Sequence, residues 1–118
     1  MKIHIKRIYD KPVRNDGFRV LVDRLWPRGF SKDAAKIDWW VKDAAPSTAL
    51  RLWFHEDKVR RRSVFETRYK KELTDSRAAA ALKQALLKKS RITLITAVKD
   101  IEYSHIPVLI NMLHTGPP

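Results

Sequence analysis

Two stretches of this sequence place ionisable side chains directly after apolar runs. "VLVDRLWPRG", residues 20–29, passes from Val20, Leu21 and Val22 into Asp23, Arg24, Trp26 and Arg28. "ITLITAVKD", residues 92–100, ends in Lys99 and Asp100, with His105 shortly after. Arginine forks match phosphate and carboxylate oxygens bidentately, so Arg24 and Arg28, with Lys99 as a point charge, are candidates for holding an anion. Arg7, at the end of an earlier alternating run, is a candidate for the same rim. Asp23 would orient the arginines or accept a ligand hydroxyl, and Trp26 would wall the site. If a proton is moved, Asp23, Asp100 and His105 are the candidate handlers. The alternative is purely structural: an ion pair and a tight turn that lock the sheet.

Other chemistries find no residues to carry them. The 118 residues contain no cysteine, which excludes disulfides, thiolate metal sites and a cysteine nucleophile. Three glycines in all leave no room for a glycine-rich phosphate loop. The histidines, at 4, 55, 105 and 114, have no metal-ligand spacing. No metal or cofactor is expected, and no reaction follows from these residues alone.

The charge points to partners instead. With 25 Lys and Arg against 13 Asp and Glu, the net charge is +12, so polyanions are natural ligands. Arg60, Arg61, Arg62, Arg68 and Lys71 sit in one basic helical stretch, residues 58–71, and form the alternative, nucleic-acid-binding site. Trp39, Trp40 and Trp53 could stack bases, although tryptophans in a small domain more often serve the core. No apolar signal core opens the chain, and no run approaches the roughly 20 apolar residues that span a bilayer. A cytoplasmic protein without membrane contact is expected.

The elements that must position these residues follow from periodicity. "KIHIKRIY" alternates as a half-buried strand, with Arg7 on the Ile3/Ile5 side. "FRVLVDRLW" is a second strand, covered on both faces. "WPRG" has proline second and glycine fourth, the type I turn pattern. Ser31 and Ser47 are placed to cap helices, and Asp75 or Ser76 a third. Phe65, Tyr69 and Leu73 form the apolar stripe of one helix; Ala79, Leu82 and Leu86 that of the next. "ITLITAV" is the most β-branched segment and reads as a central strand. "IPVLINMLH" closes as a helix, with Pro107 tolerated in its first turn. Helices between and after apolar strands predict one α/β domain over residues 1–118, with a small, largely parallel or mixed sheet flanked by helices. Ligands of such sheets bind outside the strand carboxyl ends, which is where Asp23 and Lys99 fall if their strands are parallel neighbours.

"KRIYD", "DGFRVLVDRLWPRG", "APSTALRLWF" and "ITLITAVKD" occur in the same order as in the YeaO-like branch of the domain of unknown function 488 family. The chain resembles that bacterial family over about residues 4–113. The pattern matches at Arg7, Asp16, Gly17, Arg19, Asp23, Arg24, Trp26, Pro27, Arg28 and Gly29, then at Ser47, Arg51, Lys99 and Asp100. The resemblance implies a single α/β domain, adds Arg19 to the candidate ligand-binding set and assigns no catalytic role. The chain departs from the family pattern at Ser104-His105-Ile106, before Pro107, and again at "HEDKVRRR" after Phe54.

Overall fold

The computed structural model describes residues 3–115. Its four strands are β1 (Ile3–Arg7), β2 (Phe18–Leu21), β3 (Trp39–Trp40) and β4 (Ile92–Thr96). They form one sheet in the order β1-β4-β2-β3, and every pairing is parallel. Of the first expected strand, "KIHIKRIY", Lys2 lies outside the described residues. The β-branched β4 is central and buried along its whole length, as its composition predicts.

Five helices pack on this sheet: α1 (Lys32–Ala35), α2 (Thr48–His55), α3 (Lys58–Thr74), α4 (Arg77–Lys88) and α5 (Ile106–His114). Ser31, Ser47 and Ser76 each accept a backbone N–H at a helix start, so the serine caps fall where expected. Alternation splits the strand side chains between two faces. Val20, Ile92 and Leu94 meet α2, α3, α4 and α5 through Phe54, Phe65, Tyr69, Leu82 and Leu109. Leu21 and Ile95 face the other way, under a thinner cover of α1, Trp26, Phe30 and Trp40. The result is a parallel sheet covered on both sides, an α/β domain.

Two glycines are positional. Gly17 has φ +67°, and a Cβ there would stand 2.6 Å from the Arg91 carbonyl oxygen, so only glycine fits where the chain enters β2. Gly29 has φ +85°, with the Phe30 N–H donating to the Pro27 carbonyl. The turn therefore runs from Pro27 to Phe30, one residue later than the type I expectation. Its positive φ at the third position is the type II requirement for glycine.

Candidate functional site

The parallel order makes β2 and β4 neighbours, so their carboxyl ends meet. Asp23, just past β2, turns onto the end of β4. One carboxylate oxygen accepts the Thr96 hydroxyl and the other the Ala97 N–H, each at 2.7 Å. From the opposite flank Arg7, the last residue of β1, donates to the Val98 carbonyl at 2.9 Å and, more weakly, to the Ala97 carbonyl at 3.4 Å. The segment that leaves β4 is thus held by an acid on its N–H side and a guanidinium on its carbonyl side. The Thr96 hydroxyl also accepts the Val98 N–H at 3.1 Å.

His105, at the start of α5, completes this cluster. Its Nε2 lies 2.9 Å from the Val22 carbonyl oxygen and 3.5 Å from Asp23 Oδ1. Burial lowers its pKa; the Asp23 charge and the Val22 carbonyl oppose that shift but do not overcome it. The ring is therefore neutral, with Nε2 donating to Val22. The folded value lies below the ordinary 6.5, so an unfolded chain takes up a proton that the folded one refuses. Stability is complete above the ordinary value and falls as pH drops below it. His105→Gln should flatten thermal stability between about pH 5 and 7, a window set by the ordinary histidine value. His55, whose pKa is lowered by partial burial and then by Lys58 and Arg51, is exposed. An unchanged pH dependence in His105→Gln would show that His105 does not carry it.

The other signature residues diverge from this point. Arg24 turns toward α2: it pairs with Asp43 at 3.0 Å and donates to the carbonyls of Ala45 and Pro46 at 3.1 and 3.2 Å. Trp26 donates Nε1–H to the Phe30 carbonyl at 2.7 Å and sets its ring edge-on to Trp40, centroids 5.4 Å apart. Trp40 in turn donates to the Asp23 carbonyl at 2.8 Å. Arg28, Lys99 and Asp100 are exposed and make no side-chain hydrogen bond or ion pair among the described residues. Arg19 sits at the amino end of β2, away from the rim. It pairs with buried Asp16 at 2.6 Å and donates to the carbonyls of Lys36 and Ala35 at 2.9 and 3.0 Å.

A groove of about 560 Å³ opens near the carboxyl end of β2 and β3. Arg24 and Arg77 line it, but so do Asp43, Glu72 and Asp75, so its charge is mixed rather than cationic. Glu72 is already spent, accepting both the N–H and the hydroxyl of Ser47 at 2.8 and 2.6 Å.

The basic stretch forms α3. Its helical spacing places Phe65, Tyr69 and Leu73 in the core and turns Arg60, Arg68 and Lys71 outward. Tyr69 donates its hydroxyl to the Ala44 carbonyl at 2.6 Å, and burial pushes its phenol pKa well above the ordinary range. Arg62 turns inward, donating to the Ser104 carbonyl at 2.7 Å, and ties α3 to the start of α5. Arg61 donates to the Trp53 carbonyl at 2.6 Å and to Glu56 at 2.9 Å. The guanidiniums of Arg61 and Arg68 lie 4.7 and 4.5 Å from the Trp53 ring centroid.

Sequence reasoning missed Thr96, Asp16 and Glu72. Thr96 carries a local signal, a hydroxyl where an apolar strand stops, and Asp16 stands among the positions that match the family pattern.

The family model described as "Inactive DUF488-N3 subclade" matches residues 2–116. The chain belongs to this family. It is 37% identical to the uncharacterised protein YeaO of Escherichia coli, over 98% of this chain and 99% of that one. Uncharacterised proteins of Mycobacterium tuberculosis and Mycobacterium bovis are each 41% identical to it, over 96% of this chain and 94% of theirs. No solved structure gives a significant match. Among the described residues no helix is long and apolar enough to cross a membrane.

Proposed function

We propose that this chain is a non-catalytic, cytoplasmic nucleic-acid-binding protein that docks the outward face of α3 on phosphate backbones. The observation that carries this reading is the charge of α3. It holds seven Lys and Arg against Glu66 and Glu72, and both acids are engaged, Glu72 on Ser47 and Glu66 within 3.6 Å of Arg62. Arg60, Arg68 and Lys71, three to four residues apart in succession once Val64 is included, line one exposed side of the helix. The family's "inactive" description accords with a signature motif whose polar groups are largely spent on the protein's own backbone.

The reading predicts binding to DNA or RNA that weakens steeply with salt, since each neutralised phosphate releases counterion. Reversing both Arg60 and Lys71 to Glu should weaken binding by about tenfold or more and lower the salt slope by about two. Both positions are exposed, so the fold should survive. Fluorescence anisotropy across a salt series reads the effect; binding that ignores salt would reject the proposal. A small-anion site at the strand ends has less to support it. Arg7 and Arg24 donate to carbonyls, which leaves Arg28 and Lys99 as its free cations among the described residues. Anion-specific thermal stabilisation abolished by Arg28→Ala would favour it.

A further inference from the structure

We infer that the Arg61–Trp53–Arg68 stack is a seat for an unpaired base, so that the α3 face prefers single-stranded to duplex nucleic acid. This rests on the nucleic-acid reading above and names its substrate class. Arg61 and Arg68 are two helical turns apart, a rise of about 10 Å. Both guanidiniums nonetheless lie within 5 Å of one ring centroid, at 4.7 and 4.5 Å.

The two arginines are not equivalent. Arg61 is fixed by the Trp53 carbonyl and Glu56. Arg68 is exposed, and among the described residues it makes no hydrogen bond or ion pair, so the stacking contact alone holds it. A base that slides onto the indole in its place gains an aromatic surface and frees Arg68 for the adjoining phosphate. Trp53 itself is half-buried against the α2–α3 core, so the platform is positioned before a ligand arrives. Bases in a duplex are stacked and paired, which leaves none free for this seat, so the stack contributes only to single strands.

The full-length chain is titrated with labelled oligothymidine, oligouridine and a duplex of matched phosphate number. Trp53→Leu should weaken single-strand binding by about 5- to 100-fold and leave duplex binding within about twofold. Trp53→Phe should keep most of it. Single strands should quench tryptophan emission in the parent chain and not in Trp53→Phe, whose remaining tryptophans lie elsewhere. This last comparison decides the matter if Trp53→Leu fails to fold. Equal losses on both ligands, no loss on either, or quenching that persists in Trp53→Phe would overturn the inference while the basic-face reading stood. Absence of binding to any ligand by the parent chain would overturn that reading itself.

Discussion

Asp16→Ala should lower the unfolding free energy by about 3–5 kcal/mol, the usual cost of breaking a buried ion pair by removing one partner. Asp16 and Arg19 each keep only 4% of their surface exposed. The carboxylate takes Arg19 at 2.6 Å, Lys6 at 2.9 Å and the Val13 N–H at 3.1 Å; Lys6 keeps the Lys11 carbonyl at 2.8 Å, so the substitution falls hardest on buried Arg19. Arg19 has nowhere else to send that charge, because its other donors already meet Lys36 and Ala35. The backbone carbonyl of Asp16, which accepts the Thr93 hydroxyl of β4 at 2.7 Å, is kept in Asp16→Ala, so the loss is that of the carboxylate alone. Urea unfolding reads the effect, with an expected fall in melting temperature of roughly 10–20 °C. Burial would raise the Asp16 pKa, but the Val13 N–H, Lys6 and Arg19 outweigh it and hold the value below the ordinary 3.8. Its stabilisation is therefore present above that value and lost as pH falls through the lower folded one. The variant should lose this acid limb and keep the limb set by His105. A drop under 1 kcal/mol, by contrast with the range above, would mean that Arg19 finds water or another acceptor.

The strands, the three serine caps and the helix stripes were legible because each is a local pattern of period two or near four. The meeting of Asp23 with Thr96 was not, since it depends on β2 and β4 being neighbours, and strand order is set by tertiary packing. The expectation that residues 23 to 28 face residues 99 to 105 holds for one pair alone, Asp23 and His105. Arg24 follows Asp23 directly but lies in the bend past β2, and its side chain turns to Asp43, Ala45 and Pro46. Arg28 rides an exposed turn whose glycine falls one place earlier than proline-second spacing implies. Asp16 sat inside a stretch that reads as a polar loop, "DKPVRNDG". Nothing local distinguishes a loop acid that folds under a strand from one left in water; the difference is made by Arg19, buried on the α1 face of β2.

Asp23→Ala should cost about 2–4 kcal/mol, because it removes both acceptors from donors at the end of a central strand. The Ala97 N–H and Thr96 hydroxyl lie beneath a carboxylate side chain that is 13% exposed, so water replaces it poorly. Asp23→Asn keeps one acceptor and presents an amide N–H to the other donor; about half the loss is expected. A double-mutant cycle with Thr96→Val isolates the pair, with a coupling of about 1–2 kcal/mol in its favour. The same cycle separates the two meanings of "VLVDRLWPRG". If Asp23 clamps β2 to β4, each variant loses stability in proportion to the acceptors removed, whatever anion is added. If Asp23 and its neighbouring cations serve a ligand, stability changes little and the response to added phosphate disappears. The two short bonds to Thr96 and Ala97 favour the clamp, and with it a motif that holds the sheet together.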